Sequence, residues 1–462
     1  MKNMLETRAA TLAVLCIGVL IAQIDTSVVN LAVQPIGSCF SAGMAQLQWM
    51  VDSYNLVYAV FLLTGGILAD TRGRRRILRF GLLVFSAASL LCGFSPSVSF
   101  LVAGRAVAGL GAALMIPSSL AIIRVIWTDD IERGRVLGIW ASCYGLALAI
   151  GPTIGGLMIV QFGWRSIFLI AVPPGIIAFF LASKVIPESS DPDGRHFDLS
   201  AQMLGAIAAG ALAMAAIDAR ESALSAAVFL AVAIIALKFF VTVESRKGDE
   251  ALVPTGIFAI GEFRAAAAGA AGMTSSMYGL LFVLPQAWQE TGNLGALGSG
   301  IALMPMAIIY VFVSFLSGTR ARRFGVRMMA SGGLAVIGAG LLVLTVANVS
   351  LWPDEIGLIL AGTGMGLATG PLVGLAVGSV HAARSGTAAS VINVARMIGA
   401  TMGVAVLGAV YASFRDHRTG VSAAMILGSI ILFSAAYAAW RATGKRVYAL
   451  TIASSKPTVE TK

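Results

Sequence analysis

Hydrophobic residues in this 462-residue chain gather into long runs parted by short polar loops. A helix needs roughly 20 apolar residues to cross the hydrocarbon core of a bilayer, and fourteen runs approach that length. They predict helices near 10–32, 48–69, 77–95, 99–123, 136–160, 164–184, 198–217, 222–243, 263–286, 298–318, 327–347, 353–379, 385–411 and 421–440, numbered 1 to 14 in that order. Helix 1 is expected to end at Pro35 and helix 9 at Pro285, an offset of 250. Gly73 and Gly325 lie in two arginine-rich loops at an offset of 252, and Gly109 and Gly111 match Gly364 and Gly366 at an offset of 255. Such offsets predict two six-helix halves of the same orientation. Helices 7 and 8 belong to neither and read as an inserted hairpin. The expected division is therefore a first bundle over 1–190, the hairpin over 191–250, a second bundle over 251–445 and a tail over 446–462.

Composition fixes the class. The chain is 58% apolar and 12% charged, against about 25% charged for a soluble domain, so an all-α polytopic membrane protein is expected. The net charge of +10 does not predict nucleic-acid binding, because the charges sit in short loops between spans. With the N-terminus inside, 25 Lys and Arg fall at cytoplasmic ends and loops, four in outer loops and three within spans. That bias predicts cytoplasmic N- and C-termini. The first run is too long for a signal-peptide core and no small-residue cleavage site follows it. Four scattered cysteines imply neither a disulfide frame nor a metal site. His196, His381 and His417 lie in separate loops. No cofactor or metal is expected.

A few polar residues stand out against this background. The loop between helices 2 and 3 holds Asp70 with Arg74, Arg75 and Arg76 beside Gly73, a pattern for an ion pair that opens or closes as helices slide. Asp25 lies 17 residues past Arg8, about 25 Å of helix rise. A carboxylate at that depth is costly unless it faces a polar cavity or a partner, and a desolvated carboxylate can trade protons near neutrality. It reads as a proton or cation site, or as a helix-end aspartate solvated by outer headgroups. Arg105 in helix 4 sits at a similar depth and must find an acceptor, with Asp25 or backbone carbonyls as the choices. Gly145, Gly151, Pro152, Gly155 and Gly156 predict a kinked, closely packed helix 5. Ser390, Asn393 and Arg396 share one face of helix 13, followed by Gly399 and Gly403, consistent with substrate contact or with helix packing. Asp52 is expected near the outer interface and solvated. Met273, Met277, Tyr278 and Phe282 form a thioether and aromatic stripe on helix 9, suited to packing or to an adaptable pocket.

These motifs resemble those of the major facilitator superfamily, and specifically its fourteen-span drug–proton antiporters. The 66–76 loop is similar to the family's loop between helices 2 and 3, with Thr71 where arginine is usual. Residues 24–33 resemble its first-helix signature. The helix 4 motif is similar except that Ala108 replaces a glutamine. The helix 5 glycines with Pro152 resemble the antiporter motif, with Ala147 at its first glycine. The run from Asn393 through Gly403 resembles the subfamily's helix 13.

The resemblance implies a 6+6 helix fold with a two-helix insertion, working as a proton-coupled exporter of small amphipathic compounds in the bacterial inner membrane. An uptake permease of the same fold and a non-transporting membrane sensor are the alternatives. It assigns proton coupling to Asp25 and Arg105, and a conformational latch to Asp70 with Arg74, Arg75 and Arg76. A substrate cavity would be built from Asn30, Tyr58, Met115, Tyr278, Asn393 and Arg396. Helices 1, 4, 9 and 12 are expected to line the cavity, and the hairpin to pack at the periphery. The expected partners are a small substrate, protons and lipid, with no nucleic acid and a monomeric state. Because Asp25 is the one clearly deep acid, monocations, neutral compounds or weak anions are the expected cargo.

Overall fold

A computed structural model of the chain describes residues 2–191, 198–219, 222–247, 251, 253, 255–346, 351–380 and 385–454, and no strand occurs among them. Thirteen of its helices are long and apolar enough to cross a membrane, and the bent pair Arg135–Ala147 and Ile150–Phe162 makes one more. In chain order these are α1 (Glu6–Phe40), α2 (Met44–Arg72), α3 (Arg74–Gly93), α4 (Val98–Ile126), α5 (Asp130–Phe162) and α6 (Ser166–Val185). The pair α7 (Leu199–Asp218) and α8 (Ala223–Lys247) follows. The remainder are α9 (Gly261–Glu290), α10 (Ala296–Ser317), α11 (Val326–Val346), α12 (Leu351–Ser379), α13 (Ser385–Ala412) and α14 (His417–Ser454). They correspond one to one with the predicted runs. His196 and His381 lie outside the described residues, as do residues 455–462 of the expected tail. The end of the bundle bearing the α2–α3 loop is called the arginine face below, and the end bearing Phe40 and Met44 the opposite face.

Two helix ends differ from expectation. α1 does not stop at Pro35. It tightens into a 3₁₀ turn at Val29–Ala32 and resumes as Val33–Phe40. Pro35 is therefore in the first turn of the resumed segment, where a missing N–H leaves no helical bond unmade. Pro285 likewise sits inside α9, which runs on to Glu290. Proline is an unreliable stop where neighbouring helices hold the chain on both sides.

The internal repeat appears as matched contacts, in a register the sequence reading had offset by two residues. A β-carbon on Gly109 would lie 2.4 Å from the Tyr54 carbonyl oxygen, and one on Gly362 would lie 2.2 Å from that of Met306. On Gly111 it would lie 2.6 Å from the Phe85 nitrogen, and on Gly364 2.6 Å from that of Ile337. Gly109 thus corresponds to Gly362, not to Gly364. Both halves use glycine in the fourth helix so that the second and third can approach to backbone distance.

The hairpin attaches through α7, which packs on α8 and meets α2 and α13. Gln202 fixes the contact: its amide donates to the Val60 carbonyl at 2.6 Å and its oxygen accepts from Thr64. The small residues Gly205, Ala208 and Ala209 do not close against the core. They line an apolar groove of about 800 Å³ between the hairpin and α2, α9 and α13. Asp198 caps α7 and pairs with Lys247 at the end of α8. Partial burial opposes ionisation of Asp198, but hydrogen bonds from Lys247, Ser200 and Ala201 prevail and hold its carboxyl at about 2.

At the arginine face the α2–α3 turn is tied to the segment after α6. Asp70 accepts from Arg74 Nε at 2.8 Å and Nη2 at 2.6 Å. Arg75 and Arg76 do not join that pair. Their backbone N–H groups donate to the Glu188 carboxylate at 3.0 and 3.1 Å, and the Arg75 side chain lies 3.6 Å from it. A carboxylate at the start of α3 complements the helix dipole there. Gly73 turns the chain at φ +108°, and a β-carbon on it would meet Glu188 Oε1 at 2.9 Å. Gly73→Ala is expected to cost about 1–3 kcal/mol through backbone strain. Gly332→Ala, inside α11 with open space around it, is expected to leave stability unchanged or slightly raised. Thermal unfolding of the two purified variants in detergent checks the contrast.

Candidate functional site

Two buried charges meet between α1 and α4. Arg105 of α4 donates through Nη1 to Asp25 Oδ2 of α1, and the two side chains are 1% and 3% exposed. Arg105 Nε also donates to the Met50 carbonyl at 3.3 Å, and its Cζ lies 4.5 Å from the Tyr54 ring centroid. Tyr54 in turn donates to the Ala22 carbonyl at 3.2 Å. Helices α1, α2 and α4 are thus joined around one guanidinium. Of the two acceptors the sequence left open, the structure uses both. Nη2 is buried without a hydrogen-bond partner.

One turn along α1 the chain packs against α5. Pro152 bends α5 by 42° between Ala147 and Ile150, where the proline ring conflicts with the carbonyl four residues back. Ser27 Oγ donates to the Ala147 carbonyl at 3.4 Å. β-Carbons on Gly151 and Gly155 would fall 2.1 Å from Ser27 Oγ and 2.3 Å from Val28 Cγ1. The other two glycines face α10 of the second half. A β-carbon on Gly145 would be 2.7 Å from Val311 Cγ2, and one on Gly156 2.6 Å from Leu297 Cα. α5 is therefore a wedge with α1 on one side and α10 on the other.

Further contacts join the halves near the opposite face. Gln48 of α2 donates to the Val404 and Ala405 carbonyls at 3.3 and 3.2 Å, and Gln289 of α9 donates to the Leu31 carbonyl at 3.4 Å. Below these contacts lies a central cavity of about 70 Å³. Its wall comes from α1, α5, α9, α10, α12 and α13, with Thr26, Tyr144, Met277, Tyr278, Tyr310 and Arg396 among the lining residues. α4 does not contribute to that wall, contrary to expectation. Its inward side chain is Arg105, already used by Asp25.

The expected cavity residues divide accordingly. Tyr278 and Arg396 line the cavity. Tyr58 and Met115, 4% and 1% exposed, lie in the apolar core of the first half, one layer behind the wall. Asn30 is buried and donates to the Thr26 carbonyl at 3.5 Å, and the half-buried Asn393 is off the wall. On α13, Gly399 and Gly403 pack against α9, where β-carbons would meet the Ala271 and Ser275 carbonyls at 2.3 and 1.9 Å. Substrate contact and packing are thus divided along the helix. On α9, Met273, Met277 and Tyr278 reach the cavity, while Phe282 belongs to the core.

Among the described residues three further acids are buried, Glu244 near the end of α8 and, contrary to expectation, Asp52 and Asp354. Asp52 is 0% exposed, and neither carboxylate oxygen has a hydrogen-bond partner. It lies one turn from Gln48 on the side of α2 that meets α13, so the seam between halves buries it. Asp354 of α12 is 1% exposed and accepts from Trp288 Nε1 at 2.9 Å. A cluster that the sequence does not reveal stands at the opposite face. Tyr411 donates to Glu290 Oε2 at 2.5 Å, and His417 Nδ1 lies 3.2 Å from the same oxygen. Its three members come from three helix ends, so no spacing rule reveals it.

The Major Facilitator Superfamily profile matches residues 15–199 and 196–404, and the chain belongs to that superfamily. It is 33% identical over 413 residues to the multidrug resistance protein Stp of Mycobacterium tuberculosis, covering 88% of this chain and 77% of that one. It is 31% identical to the methylenomycin A resistance protein of Bacillus subtilis, with 94% of each chain covered. The multidrug efflux pump LfrA of Mycolicibacterium smegmatis is 32% identical, with 91% and 84% covered. Among solved structures, a bacterial homolog of the human lysosomal transporter Spinster superposes with a TM-score of 0.70 at 18% identity, covering 95% of this chain and 97% of that one. The chain is an integral membrane protein of the bacterial inner membrane, with the major facilitator fold.

Removing one partner of a buried ion pair strands the other. Arg105→Gln is expected to cost about 3–5 kcal/mol of stability. The double variant Asp25→Asn with Arg105→Gln should recover most of that loss. Thermal unfolding of the single and double variants measures both.

Proposed function

We propose that this protein is a proton-coupled antiporter that exports small amphipathic compounds by alternating access. The observation that carries the reading is the buried Asp25–Arg105 pair, placed next to Thr26 on the cavity wall. The resistance functions named for its relatives support the direction of transport. The distribution of Lys and Arg orients the arginine face and both termini toward the cytoplasm. The first and second six-helix halves then move about α5 and α10, with α7 and α8 outside the path.

The cycle follows from the contacts. The present form is held shut at the outer side by the Gln48 and Gln289 bonds and by the α5–α10 wedge. A cavity of about 70 Å³ is far below the ~300–1,000 Å³ of a drug-sized pocket, so substrate binding requires the halves to part. A proton arriving from outside neutralises Asp25 and removes its charge from Arg105, which keeps the Met50 carbonyl and the Tyr54 ring. α1 then shifts against α4. Ser27 and Val28 of α1 lie on Gly151 and Gly155, so the shift reaches α5 and through Gly156 the second half. Release of the proton to the cytoplasm restores the pair. The Asp70–Arg74 pair and the Glu188 clamp hold the inner turn as one unit during that motion.

Asp25→Asn is expected to abolish proton-driven uptake of ethidium into inverted membrane vesicles while the protein is still inserted. Undiminished uptake by the variant would remove Asp25 from the coupling step.

A further inference from the structure

Arg396 gives the central cavity a sign. Among the described residues it is the single charged side chain on the wall, and its Nε is buried without a hydrogen-bond partner. Tyr144 and Tyr278 lie within its electrostatic reach and, with Tyr310, stand on the same wall. None of these offers an anion. Asp25 does not compensate it, because that carboxylate is buried and bound to Arg105, leaving the pair with no net charge. Asp52 and Asp354 are both absent from the lining. The backbone at Arg396 is fixed independently: its carbonyl accepts from Thr274 Oγ1 at 2.7 Å, and Gly399 seats the next turn on α9. The guanidinium is thus carried on a rigid helix toward a cavity of thioethers and phenols.

Resting on the export reading, we propose that the cavity selects amphipathic compounds carrying an ionised carboxylate or a similar oxyanion, with Arg396 as the binding residue. A guanidinium offers a planar fork of donors that matches a carboxylate, and charge-assisted bonds of that kind are strong. Met273, Met277, Met306 and Met365 are adaptable apolar surface for the body of the compound. The tyrosine hydroxyls supply further donors. A permanent cation meets an uncompensated like charge at the same place. This narrows the range expected from the sequence, where monocations, neutral compounds and weak anions all remained.

A charge series on one apolar body tests the assignment. Pyrenebutyrate, 4-(1-pyrenyl)butanol and a pyrenebutyl-trimethylammonium salt differ at a single terminus. Binding to the purified protein in nanodiscs should be at least about tenfold tighter for the carboxylate than for the cation, the range of a hydrogen bond to a charged group. Arg396→Gln should bring the three affinities together while the alcohol still binds, and Arg396→Lys should keep the wild-type order. Cation binding as tight as carboxylate binding, or an unchanged order in Arg396→Gln, overturns the proposal. If Arg396→Gln does not insert, the wild-type order and Arg396→Lys decide. A reversed order with proton-driven movement intact leaves the export reading standing, whereas no proton-driven movement of any of the three probes strikes that reading itself.

Discussion

An arginine in the middle of a membrane cannot shed its charge, and much of the first half is arranged around that constraint. Arg105 meets the Asp25 carboxylate, the Met50 carbonyl and the Tyr54 ring, which come from two other helices. α2 can bring Tyr54 over the guanidinium because Gly109 lets its backbone come to contact distance. The ionised pair is stable where it is buried because each charge has the other. Loss of either charge would strand the other among three helices.

Close glycine contacts connect that balance to the second half. α1 carries Asp25 on one turn and Ser27 and Val28 on the next. The latter two lie in the groove formed by Gly151 and Gly155, and Gly145 and Gly156 press the other side of α5 onto α10. On the α5 side these contacts are made by glycine, so no α5 side chain is there to absorb a displacement. A shift of α1 is passed to α10 or it breaks the contact. The central cavity has α1, α5 and α10 in its wall, so in the proposed cycle the contacts that respond to the proton also set the size of the cavity. Arg396 enters the cavity from α13 and is separate from the Asp25–Arg105 pair, so in the proposed cycle cargo and proton would use different charged groups.

The fourteen spans were legible because length and hydropathy are strong signals in a membrane, and Asp25 with Arg105 because charges there have few possible partners. The ends of α1 and α9 were not legible. Pro35 and Pro285 are tolerated by first-turn geometry and by neighbouring helices, neither visible in the local sequence. The ion pairs of the α2–α3 turn were half legible. Asp70 with Arg74 follows from i,i+4 spacing, but Arg75 turns to Glu188, 113 residues away. Tyr58 and Met115 were misplaced by one layer, because spacing gives a helix face and not what stands in front of it. Asp52 was misread for the same reason: its depth along α2 places it near the interface, yet the seam with α13 seals it off. The repeat was legible in outline, and only contacts such as Gly109 with Tyr54 and Gly362 with Met306 fixed its register.

The central claim is that protonation of the Asp25–Arg105 pair is coupled to substrate binding in the cavity. Proton release on substrate binding is its most direct test, measured with purified protein in weakly buffered solution near neutral pH with a pH-sensitive dye. The account predicts release of protons when a transported compound is added to the wild type and none from Asp25→Asn, although that variant still binds the compound. Equal release from the two proteins, or none from the wild type at saturating substrate, would contradict it.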